Sequence, residues 1–171
     1  MSELSLAQRV YQAAHLTGEF TLRSGIVSNE YFDKYQFESD PILLRDICTE
    51  MAKLVPEDTD YLAGLEMGGI AIVTVLSQIT GIPALFVRKE AKKYGTAKLA
   101  EGPDYQGKRL TIVEDVVTSG GQIVLSHQDL IDTGAICDQA LCALDREQGG
   151  REKLKEAGIH LQSVLTKSDF D

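Results

Sequence analysis

Along the chain, the spacing of apolar residues changes character twice. From Ser5 to Leu16, Leu6, Val10, Ala13 and Ala14 recur at the spacing of one helix face. Gly18–Gly25 and Tyr31–Asp33 then read as two short strand-like pieces around a turn. Asp40-Pro41 opens a second helix, with an acid at the N-cap and proline at the first helical position, running to about Leu54. From Tyr61 onward, strands and helices alternate. Tyr61–Gly64, Pro83–Val87, Leu110–Val113 and Ile136–Leu144 read as strands. Gly69–Thr80, Gly121–Thr133 (closed by Gly134) and Gly149–Ala157 read as helices.

This rhythm predicts an α/β fold: a mainly parallel sheet flanked by helices, with a small N-terminal hood. The expectation is one unit over 1–171, with about 1–40 as the hood and about 41–171 as the core. Ligands of such sheets bind beyond the carboxyl ends of the strands, so the loops after strands are where chemistry is expected.

Composition narrows the field. The chain has 171 residues, 43% hydrophobic and 25% charged, as in a soluble globular protein. No apolar run approaches the roughly 20 residues of a membrane span. Met1-Ser2-Glu3-Leu4 carries an acid and no basic leader, so a cytoplasmic location is expected. Cys48, Cys137 and Cys142 form neither a CxxC pair nor an even disulfide set; Cys137 and Cys142, in a strand-like run, read as buried, inert thiols. A net charge of −9 argues against nucleic acid as a partner. Yet Arg88, Lys89, Lys92, Lys93 and Lys98 cluster between positions 88 and 98, with Glu90 the only acid among them, which suggests a small, multiply charged anion. His15, His127 and His160 share no ligand spacing and read as structural or exposed.

The most informative stretch is Leu110-Thr111-Ile112-Val113-Glu114-Asp115-Val116-Val117-Thr118-Ser119-Gly120-Gly121-Gln122. A buried strand ends in two carboxylates, and a hydroxyl- and glycine-rich turn opens a helix. Such a helix start offers unpaired N–H groups to a phosphate. Glu114 and Asp115 can accept hydrogen bonds from vicinal ribose hydroxyls and steady positive charge at an anomeric carbon. It is neither a Walker loop, lacking the lysine, nor a GxGxxG site. Two acids and a Gly-Gly alone would read as a solvated turn; the whole pattern reverses that.

This stretch resembles the phosphoribosyl pyrophosphate (PRPP) signature of type I phosphoribosyltransferases, with Glu114-Asp115 where Asp-Asp is usual. The resemblance implies that Glu114 and Asp115 face the ribose while Thr118, Ser119, Gly120, Gly121 and Gln122 wrap the 5-phosphate. Three further segments are similar to the orotate phosphoribosyltransferase family. Phe20–Gly25 with Tyr31-Phe32-Asp33 resembles its base-binding segment, implying that Arg23, Tyr31 and Phe32 meet orotate; lysine is usual where Arg23 stands. Val87–Gly95 resembles its catalytic loop, implying that Arg88, Lys89 and Lys92 meet the pyrophosphate, with Tyr94 where histidine is usual. Leu144–Gly150 resembles the turn whose arginine, here Arg146, pairs with the carboxylate of orotate; a guanidinium fork suits a planar carboxylate. A looser match, Gly64–Ile70, falls at the pyrophosphate loop and implies Gly68 and Gly69 as anion-binding backbone, although the lysine that some members carry there is missing.

The resemblance therefore implies transfer of ribose 5-phosphate from PRPP to orotate. Magnesium would be held mainly by PRPP, with no direct protein ligands, in a homodimer whose lid is shared between subunits. A phosphoribosyltransferase for another base, or a non-catalytic PRPP-binding regulator, would share the sugar-phosphate motif. Arg146 and the Arg23 segment weigh against the first, and the net charge and the lack of a spare domain against the second.

Overall fold

In a computed structural model of the chain, the structure describes residues 4–21, 25–90 and 99–170. Helix α1, Leu6–Ala14, starts at a capping box. The Ser5 hydroxyl accepts from the Gln8 N–H while the Gln8 side chain accepts from the Ser5 N–H, so two orphan donors are satisfied. Strands β1, His15–Thr21, and β2, Val27–Phe32, pair antiparallel, with His15 opposite Phe32. A short helix, α2, Lys34–Glu38, follows β2 at once and is capped by the Asp33 carboxylate; the apolar spacing had not revealed it. In α3, Pro41–Ala52, Asp40 accepts from the N–H groups of Ile42 and Leu43, as its position before proline predicts.

The larger sheet comprises β3 Tyr61–Leu65, β4 Ala84–Val87, β5 Ala100–Glu101, β6 Arg109–Val117, β7 Ile136–Asp145 and β8 His160–Thr166. Their spatial order is β5-β4-β3-β6-β7-β8, and every pairing is parallel except β4 with β5. Helices α4, Gly68–Thr80, α5, Gly121–Asp132, and α6, Gly150–Glu156, connect successive strands, and a 3-10 turn, Lys167–Phe170, ends the described chain. One face of the sheet packs Leu110, Ile112, Cys142 and Leu161 with Ile123, Leu130 and Leu154. The other packs Val113, Leu141 and Leu144 with α4, α3 and Phe37, and it includes Val10 and Ala14 of α1. The N-terminal hairpin is thus rooted in the core through the helices on either side of it.

Several elements differ from the sequence reading. His15 and Leu16, expected in the first helix, open β1; β2 begins at Val27 rather than Tyr31; and the two-residue β5 had no predicted counterpart. The strand expected over Leu110–Val113 continues to Val117, because pairing with β7 persists through Val117–Asp145. The acid pair therefore lies within the strand rather than past its end. Strand β8 had no predicted counterpart; its exposed and half-buried residues belong to a sheet edge and give no continuous apolar run. Helix α2 had none either. All three cysteines are free and buried, and burial pushes the thiols of Cys48 and Cys137 up to about 12 and that of Cys142 higher still.

Candidate functional site

The phosphate-sized loop forms where β6 turns into α5. Gly120 takes a left-handed conformation at φ 69°, which costs a side-chain-bearing residue about 1–2 kcal/mol and costs glycine little. No side chain caps the start of α5, so its first N–H groups remain available. A cavity of about 280 Å³ opens there, lined by Glu114, Val116, Val117, Thr118, Ser119, Gly120, Gly121, Gln122 and Ile123. All five expected phosphate-loop residues are brought together. The Gln122 side chain donates to Ser126 one turn on.

The two acids part company. Glu114 is half-buried, lines that cavity, and accepts from the Asp115 N–H at 2.9 Å. Burial, then the Asp115 charge, holds its carboxyl well above the usual range. Asp115 is 2% exposed and its Oδ2 forms an ion pair with the Lys34 ammonium. Glu38, from the same short helix as Lys34, is also buried here, with its Oε1 unpartnered. Burial first, then the neighbouring Asp115 both as charge and as acceptor, raises the Glu38 carboxyl to about 8. Lys34 and Glu38 were not foreseen. The available signal was a lysine two residues past the aromatic pair; nothing marked Glu38.

Gly68 and Gly69 begin α4 beside this cluster. A methyl group on Gly68 would sit 1.5 Å from Asp115 Oδ2, so only glycine lets the carboxylate approach. The preceding Glu66–Met67 peptide is cis. Met67 supplies no side-chain cap, which leaves the first N–H groups of α4 without intrahelical partners. Glu66 Oε1 accepts from the Lys89 N–H at 2.7 Å, and Arg88 is drawn to Glu101 at 3.4 Å while its N–H donates to Leu99. The root of the basic segment is thereby fixed beside the Gly68 loop. Lys92 and Tyr94, with Lys93, Gly95 and Lys98, lie outside the described residues, as does Arg23.

A larger cavity, of about 480 Å³, opens between the hairpin and the carboxyl end of β7. Its lining holds Tyr31, Phe32 and Arg146, three of the four residues expected to meet the base. Asp145, the acid next to Arg146, is occupied by Arg151 (Nη2–Oδ2 3.1 Å), whose other donors reach the Leu161 carbonyl and Ser163. Arg146 is therefore not neutralised by its neighbour. Its guanidinium lies over the Phe32 ring, 5.2 Å from the centroid, and its Nε is buried without a partner. An ionic, planar donor poised over an aromatic floor suits a flat anion.

Four further lining residues come from elements the sequence reading left without chemistry. His15, taken as structural or exposed, stacks on Tyr11 and faces Glu30 at 3.4 Å without hydrogen-bond geometry. Lys167 and Phe170 come from the final turn, with Phe170 stacked on Phe32. Glu147 secures that turn by accepting from the Ser168 N–H and hydroxyl at 2.8 and 2.6 Å, which lowers its pKa.

A mainly parallel sheet with an acid pair inside the closing residues of one strand, a glycine-rich amide loop after that strand and a second glycine-opened helix beside it has the architecture of the type I phosphoribosyltransferases. No protein-family model matches the chain. An orotate phosphoribosyltransferase from a Nocardioides species is 49% identical over 169 residues, spanning 99% of this chain and 94% of the relative. The crystal structure of Mycobacterium tuberculosis H37Rv orotate phosphoribosyltransferase superposes with a TM-score of 0.87 at 28% identity, covering 96% of each chain. That enzyme in complex with PRPP gives 0.82 at 26% identity, again covering 96% of each. The chain belongs to the orotate phosphoribosyltransferase family.

Proposed function

We propose that this chain joins orotate to the ribose 5-phosphate of PRPP, releasing pyrophosphate. One observation carries the reading: the stretch Phe32-Asp33-Lys34 runs from the base-side cavity, where Phe32 lies under the unneutralised Arg146, to the acid pair, where Lys34 holds Asp115. Arg146 holds the orotate carboxylate, with Tyr31, Phe32 and Arg23 along the ring. The N–H groups and hydroxyls of Thr118–Gln122 grip the 5-phosphate, and Glu114 and Asp115 hold the ribose hydroxyls. A ring nitrogen of orotate forms a bond to the anomeric carbon as the carbon–oxygen bond to pyrophosphate breaks, the electron pair leaving with the pyrophosphate, which also takes up the proton released from the ring N–H. The positive charge that develops on the sugar is stabilised by the two carboxylates, and the leaving anion by the Gly68–Gly69 amides with Arg88, Lys89 and Lys92; Tyr94 adds a hydroxyl donor.

Magnesium, when bound, supplies neutralisation of the pyrophosphate charge. The donor set fits a cation held chiefly by PRPP, since Asp115 is already engaged by Lys34 and Glu114 lines the donor cavity. The chain works as one unit, with 1–40 as a hood over 41–171, in the cytoplasm; no described helix is long and apolar enough to cross a membrane. It acts as a homodimer whose basic loop reaches the neighbouring site. Mixing Lys92→Ala subunits with Asp115→Ala subunits should regenerate activity in hybrids, and its absence removes the shared-site idea.

The test of the activity is loss of orotate absorbance in the presence of PRPP and magnesium. Dependence on both additions is the expected result. Use of a purine or uracil with orotate ignored, or binding of PRPP without turnover of any base, overturns the reading.

A further inference from the structure

The Lys34 ammonium meets three things at one point. It pairs with Asp115 Oδ2; that same oxygen lies 1.5 Å from where a Gly68 side chain would begin; and Gly68 opens a helix start with no side-chain cap. Lys34 is therefore the cation that the hood places between the acid pair and the Gly68 loop. The ammonium also feels Glu114, and it lies 5.2 Å from the Tyr35 ring centroid. Its side chain is 34% exposed, against 2% for Asp115, so one end of the ion pair is accessible and the other is not.

A purely structural pair would leave this lysine fixed when the site fills. The arrangement here favours exchange. A ribose entering at Glu114, which lines the donor cavity beside Asp115, brings hydroxyl donors that can replace the ammonium at Asp115 as it swings out through its exposed side. A diphosphate on the anomeric carbon brings several negative charges to the adjacent Gly68 amides. Lysine, a compact charge on a flexible four-carbon stem, can turn from a carboxylate to a neighbouring phosphate oxygen without movement of the backbone. The short helix carrying it is pinned by the Asp33 cap and by buried Phe37, so the ammonium is delivered from a fixed base.

We propose that Lys34 is a pyrophosphate-binding residue: in the empty site it holds Asp115, and on donor binding it transfers to the diphosphate at the ribose anomeric carbon. This rests on the phosphoribosyl-transfer reading above and adds a residue to it. Because Lys34 stands two positions after Phe32, the same short segment would contact the base and the leaving group, making the hood a sensor of both substrates.

Calorimetric titration of the full chain with magnesium pyrophosphate and, separately, with ribose 5-phosphate tests this in the native protein and in Lys34→Met and Lys34→Arg. Loss of one charge-assisted contact should weaken pyrophosphate binding about tenfold or more in Lys34→Met while ribose 5-phosphate changes by less than about threefold. Lys34→Arg, which keeps the charge, should stay within about threefold of native for both ligands. Equal weakening of both ligands in Lys34→Met would mean that Lys34 only supports Asp115, and unchanged pyrophosphate binding would mean that it never leaves it; either result overturns the proposal. If Lys34→Met does not fold, Lys34→Gln takes its place with the same expected split. If the native protein binds neither ligand, the underlying donor-site reading fails instead.

Discussion

The proposed donor side and the proposed base side of this molecule are built in different ways. The 5-phosphate part of the proposed donor side is local: Glu114 through Gln122 run without a break from strand to turn to helix, and only the pyrophosphate end draws on other segments, among them Gly68–Gly69 one strand away. The base side is assembled from the two ends of the chain. His15 and Tyr31–Phe32 come from the hairpin, Arg146 from the turn after β7, and Lys167 with Phe170 from the last turn. A phosphate can be gripped by backbone amides, which any glycine-rich helix start presents, so a contiguous segment is enough. A flat heterocycle needs a floor, a rim and a charged partner at separate positions, and no single segment supplies all three. Reaction machinery can then stay constant while base recognition is altered by distant residues.

That division predicts how unequal the effects of substitution should be. On the proposed mechanism, Asp115→Asn removes a carboxylate that stabilises the developing charge and should lower kcat/KM by about a thousandfold, or about 4 kcal/mol in the transition state. A loss no larger than that from a base-side variant would erase the contrast. Gly68→Ala should cost about a hundredfold in kcat/KM, because its methyl would collide with Asp115 Oδ2 and the carboxylate or the loop must shift. Retention of native kinetics would mean that this close approach is not required.

Arg146→Ala should raise the orotate KM about 10–100-fold while moving the PRPP KM less than about threefold, since the lost contact belongs to the base alone. Steady-state kinetics with each substrate varied would decide it, and a parallel rise in both constants would show that the two sides are not separable.

The smallest effect concerns stability. The Glu38 carboxyl is raised from 4.5 to about 8 in the folded protein, so the fold retains a proton that the unfolded chain has already released. The corresponding stability is complete below about pH 4.5 and is lost as the pH rises through about 8. Glu38→Gln holds the neutral form at every pH. Between pH 6 and pH 9 the native protein should lose about 1–2 kcal/mol more than the variant, after allowance for partial solvent screening. Thermal melts that fall in parallel would remove Glu38 as the cause.

Most of the strands and helices were legible from spacing and caps: Ser5 and Asp40 at helix starts, Gly134 past a helix end, and runs such as Leu110–Val113 for buried strands. The donor loop was legible for the same reason, since its chemistry is the chemistry of one short segment. Strand β8 was not, because a sheet edge carries no continuous apolar signal. Helix α2 was not, because five residues are too few to show a period.

What the amino-acid order settled by itself was therefore the alternating α/β framework, the adjacent acid pair and the glycine-rich turn that opens a helix after it, together with the candidacy of Arg146. Only the tertiary structure decided that Asp145 belongs to Arg151 and so leaves Arg146 unneutralised, that Lys34 lies on Asp115, and that His15 and Phe170 share a cavity. Local conformation depends on neighbours a few residues away, which a sequence displays. Which charge finds which partner depends on packing between segments far apart in the chain, and on the removal of water from between them.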